Sequence, residues 1–126
     1  MTVVKISSTN HPEQIAPSTS ITAKVCDTFI SRLKGFMFQR TIQSNEALLF
    51  ENKSESRLDA AIHMFFMKFD IAVFWLDKNN QLVDKKIARK WRPIYYPLHP
   101  AKMILETHTG NFDFIDIGDR VNIEIC

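Results

Sequence analysis

The 126-residue chain holds only three glycines and two cysteines. Neither GxxxxGK[ST] nor GxGxxG occurs, so the common nucleotide-binding loops are excluded at motif level. HExxH and GxSxG are missing too, which removes the common zincin and serine-hydrolase sites. Cys26 and Cys126 stand far apart with no CxxC pair and no Cys/His cluster, so no structural zinc is expected. No run of 18 apolar residues exists, so nothing is expected to span a membrane. The start, Met1-Thr-Val-Val-Lys-Ile-Ser-Ser, lacks both the apolar segment and the cleavage site of a secretory signal. A cytoplasmic location and reduced thiols are the expectation, with Cys126 an exposed, incidental thiol. A net charge of +2 and a pI near 8.6 give no bulk signal for a polyanion partner.

What is present reads as one ordinary globular domain over 1–126, with 45% hydrophobic and 24% charged residues. Short runs rich in Ile, Val and Phe, separated by polar breaks, favour strands. Strands are predicted over Thr2–Ile6, Ile21–Cys26, Ala47–Phe50, Ala60–Phe69, Ile71–Leu76, Leu82–Ala88, Lys102–Thr107 and Arg120–Ile125. Ile71–Leu76 is nearly all apolar, so both its faces should be covered. Ser7–Ser20 carries two prolines and many small polar residues and reads as a loop, as does the polar stretch Asn52–Arg57. Asp77–Gln81 is a turn joining a hairpin, and Gly110–Gly118 a turn or short helical stretch. One helix is predicted, about 27–35. Asp27 is its N-cap, Phe29, Ile30 and Leu33 form the apolar face, and Gly35 is the stop. The fold class is therefore mainly β: a compact β-sandwich or barrel-like domain of seven to eight short strands with one short helix.

Charge is uneven along the chain. Lys78–Lys102 holds seven basic residues against the single acid Asp84, whereas Met103 to the end holds five acids against Arg120. The basic stretch contains Trp91, Tyr95 and Tyr96 in a proline-broken loop. Basic and aromatic residues interleaved in this way suit an anionic small ligand, single-stranded nucleic acid, or a protein partner through 89–96. Neutralisation against the acidic C-terminal strands is the commoner outcome.

Candidate chemistry gathers in the apolar middle, where His63, Met64, Met67, Lys68 and Asp70 lie close together. His63 and Met67 share a face at helical spacing and at strand spacing alike. Imidazole and thioether together suit copper, but no third or fourth ligand is supplied nearby, so neither a metal nor a cofactor is expected. The choice for His63 is between a hydrogen-bonded core residue and a polar group set in a pocket wall. Glu106, in the apolar run Met-Ile-Leu-Glu-Thr, either faces outward from its strand or, if buried, needs a partner, for which His63, Arg40 and Arg92 are the candidates.

Several blocks resemble the domain of unknown function 192 family of bacteria and archaea, from about residue 21 to 125. They are Arg32-Leu-Lys-Gly35-Phe-Met37-Phe-Gln-Arg40, Ala47–Phe50, the central Ile62-His63…Met67…Leu76-Asp77, and then Trp91-Arg92, Leu105-Glu106, Gly110 and Gly118-Asp119. Asp70-Ile71-Ala72 stands where many members have Pro-Ile-Asp, so the usual strand Asp is absent. The resemblance implies a compact, mostly β, sandwich- or barrel-like fold and no activity.

The expected function is a small ligand-binding module. Its cleft is walled by His63, Met67, Trp91 and Arg92, with Glu106 and Arg40 as further members, for a small anionic or polar ligand or a peptide end. An enzyme using His63 as acid or base ranks second, since no nucleophile is evident. Interaction through 89–96 ranks third; a protein partner is open, and neither nucleic acid nor a membrane is expected as one.

Overall fold

A computed structural model describes residues 2–9 and 20–126. Seven strands form one sheet: β1 (Val3–Ser8), β2 (Ser20–Val25), β3 (Ala47–Ser56), β4 (Ile71–Leu76), β5 (Leu82–Ala88), β6 (Ala101–Thr107) and β7 (Val121–Ile125). Their spatial order is β5-β4-β6-β3-β2-β1-β7. Every pairing is antiparallel except β2 with β3, which the helix α1 (Phe29–Lys34) connects. The sheet curls until its outer strands approach. Gln81 bridges Arg120, and Leu82 N–H donates to the Asp119 carbonyl at 2.8 Å. This is the barrel-like form of the predicted mainly β fold. No helix among the described residues is long and apolar enough to cross a membrane.

Alternation along the strands sorts side chains into two cores. Ile6, Ala23, Leu49, Phe74, Leu105 and Val121 fill the inside of the curl. On the outer face of the central strands, Phe50, Val73, Trp75 and Ile104 pack beneath residues 57–70 and 89–100. β4 is buried at all six positions because it lies between these cores, as its apolar run predicts.

Three expectations change. First, the N-cap of α1 is Thr28, not Asp27: Thr28 Oγ1 accepts from Ser31 N–H at 3.1 Å, and Thr28 N–H donates to Ser31 Oγ at 3.1 Å, a reciprocal cap. The C-terminal stop is Gly35 as predicted, while the side chains of Phe29, Ile30 and Leu33 lie outside the described set. Second, Asn52–Ser56 is not a loop but the continuation of β3, paired with β6 up to Ser56↔Ala101 across an irregularity in register. Third, Ala60–Phe69 is not a strand. Its single ladder contact is Ile62↔Tyr95, and it otherwise runs through turns closed by Ala61 N–H to Leu58 C=O and Met67 N–H to Met64 C=O. The segment is apolar because it covers a sheet, not because it belongs to one. Trp75 Nε1 fastens it by donating to the Ala60 carbonyl at 2.7 Å. Most of the predicted loop 7–20 lies outside the described residues; Ser7 and Ser8 belong to β1.

The basic stretch is partly neutralised. Lys85 Nζ lies 3.8 Å from Asp116 and 4.0 Å from Asp113, in the acidic C-terminal part. It also donates to the Phe112 and Ile115 carbonyls. Lys86, Arg89 and Lys102 instead pair with Asp84, Asp70 and Glu51.

Candidate functional site

The covering segment leaves a cavity of about 150 Å³ between itself, the α1 terminus and the sheet. Glu106 faces it from β6, the strand held between β3 and β4, with Leu48 and Val73 as its cross-strand neighbours. Phe50 and Ile104 line it beside Glu106, His63, Met64 and Met67 belong to the covering segment, and Met37 follows α1. Gly35 lets the backbone pass here: it sits at φ 47, and a Cβ on it would lie 3.6 Å from Glu106 Oε2.

Glu106 is only 8% exposed, and no hydrogen bond or ion pair reaches its carboxylate from the described residues. Burial alone pushes it up to about 7, because the anion loses most of its water without gaining a partner. Among the described residues, His63 Nδ1 is the one fully buried side-chain polar atom without a hydrogen-bond partner, and the His63 ring lies 5.7 Å from that of Phe65. Arg32 lines the cavity but has its guanidinium engaged, one nitrogen donating to the Glu51 carbonyl at 2.7 Å and another to Asn52 Oδ1. Asn52 in turn donates to the Asp59 carbonyl at 2.9 Å, which ties the edge of the cavity to the start of the covering segment. Lys34 adds an exposed positive charge.

The six predicted site residues therefore separate. Glu106, His63 and Met67 line one cavity. Arg40 lies in a separate depression with Asp70, Arg89 and His108. Trp91 and Arg92 are exposed, with the Arg92 guanidinium 5.6 Å from the centre of the Tyr95 ring. The loop 89–96 is also less free than its composition suggests. Tyr95 is buried with its hydroxyl accepting from Arg89 N–H at 2.8 Å, and the Arg89 side chain is taken by Asp70.

Sequence reasoning missed Arg32, Gly35, Met37 and Asn52 as parts of this site. Gly35 is visible in the sequence as a helix stop, and Asn52 as the start of a polar stretch, but nothing local says that either lines a cavity with Glu106. No group of three or more His, Cys, Asp or Glu residues suited to a metal exists among the described residues. Cys26 is buried, and its thiol is pushed up to about 11 by burial and then by the charge of Glu106, so it stays protonated near neutrality.

The DUF192 family model, described as an uncharacterized ACR family, matches residues 11–123. A UPF0127 protein of Thermococcus sibiricus is 44% identical over 104 residues, covering 81% of this chain and 66% of that protein. One of Pyrococcus furiosus is 34% identical over 103 residues, covering 80% of this chain and 85% of that protein. The chain thus spans slightly under two thirds of the length of the Thermococcus sibiricus relative. A solved structure named a putative transcription regulator, from Sinorhizobium meliloti, superposes with TM-score 0.76 at 15% identity, covering 96% of this chain and 92% of that one. A protein of unknown function from Novosphingobium aromaticivorans gives 0.74 at 15% identity, covering 95% and 83%. At that identity both likenesses concern the fold. The match over nearly the whole chain and the archaeal relatives agree: the chain belongs to the DUF192 (UPF0127) family of uncharacterized proteins.

Proposed function

We propose that the protein is a small-ligand-binding module whose ligand is a zwitterion of about amino-acid size, with its ammonium or N–H directed at Glu106. One observation carries this reading: a buried carboxyl lining the cavity with no partner among the described residues. An anion so placed costs several kcal/mol unless something pairs with it, and a ligand with a positive charge or strong donor does so directly. His63 lines the same cavity as a second polar side chain, and Met37, Met64 and Phe50 give an apolar wall. Lys34 supplies a positive charge for an anionic outer group. At about 150 Å³ the cavity is below the roughly 300 Å³ at which drug-sized ligand pockets begin, so a nucleotide does not fit.

A thermal-shift series with amino acids, small amines and small carboxylic acids tests the reading on the wild type and Glu106→Gln. A ligand at a hundred times its Kd stabilises by about 2.7 kcal/mol, a readily visible rise in midpoint. The expected result is a rise with amino acids or amines that a folded Glu106→Gln protein loses. Hits confined to carboxylic acids, or hits that survive the substitution, overturn it.

A second reading has one observation in its favour. A carboxyl near 7 holds its proton about half the time at neutral pH, which suits general acid–base work beside His63. It predicts turnover with a pH limb near 7 that Glu106→Gln abolishes. Cys26, protonated and buried, does not supply a nucleophile for it.

A further inference from the structure

Phe38, Phe66 and Trp91 come from three separate turns and meet at the surface. The Phe38 and Phe66 rings are stacked with centroids 5.1 Å apart, and Trp91 meets Phe66 edge-on at 5.3 Å. Yet all three stay open to solvent, at 58%, 46% and 55% exposure. Backbone bonds tie the turns together: Phe38 N–H donates to the Phe66 carbonyl at 3.1 Å and Trp91 N–H to that of Met64 at 2.9 Å. All three residues also have left-handed backbones, with φ of 67°, 61° and 66°. Bulky side chains disfavour that region, where glycine or asparagine would sit without strain. Three strained positions that each expose a ring are not explained by folding alone.

The charge left without an ion pair around the cluster has one sign. Arg40, Lys68, Lys90 and Arg92 each lie within two residues of one of these rings, are exposed, and form no ion pair among the described residues. The nearby acid, Asp70, is occupied by the Arg89 side chain and the Lys90 N–H. We infer that this aromatic cluster and the four exposed cations beside it dock the protein on the surface of an anionic lipid bilayer. Trp and Phe settle at the headgroup boundary, and Lys and Arg beside them gain from anionic lipid.

Other occupants fit less well. A second copy placed by two-fold symmetry would bring the same cations against one another. Base stacking needs free ring faces, and the stack covers one face of Phe38 and one of Phe66. Ile94 and Leu98, exposed in the Trp91 segment, have no face for a base but suit an acyl boundary. The lack of a long apolar run bears on spanning a bilayer and not on resting upon one.

Co-sedimentation with phosphatidylcholine vesicles, with and without phosphatidylglycerol, tests the inference on the full chain. Binding is expected only with phosphatidylglycerol, and to weaken with salt. Trp75 is fully buried, so a blue shift in emission and quenching by brominated lipid report Trp91. Trp91→Gly and Phe66→Gly remove a ring and free the backbone; each should keep or raise the thermal midpoint while weakening vesicle binding about tenfold or more. If either variant is unstable, Lys68→Glu with Lys90→Glu, which leaves the rings in place, should abolish the phosphatidylglycerol dependence. The inference is overturned by absence of binding to anionic vesicles, or by binding that the glycine variants leave intact. Ring-dependent binding of an oligonucleotide, or ring-dependent dimerisation, without vesicle binding overturns it as well.

Discussion

Glu106→Gln separates the charge of this carboxyl from its shape. In the unfolded chain the group titrates near 4.5, and in the fold it is pushed up to about 7 because burial strips water from the anion and supplies no partner. Between those values the native state binds more protons than the unfolded state. Stability therefore declines as pH rises through that interval; it is fully present below about 4.5 and levels off above about 7. The gap between the two values corresponds to about 3 kcal/mol at roughly 1.4 kcal/mol per tenfold change in proton affinity. Glutamine has the same shape and no titration, so it loses the pH-dependent penalty. Urea unfolding of both proteins at pH 5, 6, 7 and 8 reads this directly, since every other titrating group is common to the two. Near pH 5 the proteins should differ little. At pH 8 the glutamine protein should be more stable by about 3 kcal/mol, with an unchanged slope against urea. A difference that is the same at pH 5 and pH 8 would mean that Glu106 keeps its water or already has a partner, and the ligand-binding proposal would fall with it.

Other consequences are simpler to read. Trp75→Phe leaves the Ala60 carbonyl without its 2.7 Å bond and opens a void under the covering segment; a loss of about 2–4 kcal/mol is expected by urea unfolding followed by circular dichroism. Gly35→Ala forces a side chain into φ 47 next to Glu106 and should cost about 1–2 kcal/mol in the same assay. Titration with an aromatic disulfide near pH 8 should find one fast thiol, Cys126, while Cys26 reacts only after denaturant is added.

Strand positions and the mainly β class were legible because period-two alternation and the all-apolar Ile71–Leu76 run are local signals. The failure at Ala60–Phe69 has a physical cause. Apolarity on every side marks burial without saying whether the backbone groups bond to a neighbouring strand, and here they close turns instead. Asn52–Ser56 fails in the opposite direction. A polar run suggests a loop, but Asn52 is buried where β3 continues and its side chain links Arg32 to the Asp59 carbonyl. Of the proposed site residues, Glu106 and His63 were visible because each is a polar group in an apolar run, which is costly and so informative wherever it occurs. That both line one cavity was not visible. It depends on the order β4-β6-β3, which sets a late strand between two early ones, and on a covering segment folded back over them. Arg40 and Arg92 suit Glu106 by charge alone, but the fold sets Arg40 in a separate depression and Arg92 over the Tyr95 ring. That leaves Glu106 without a cation among the described residues, and it is this vacancy, more than any motif, that gives the cavity its chemical direction.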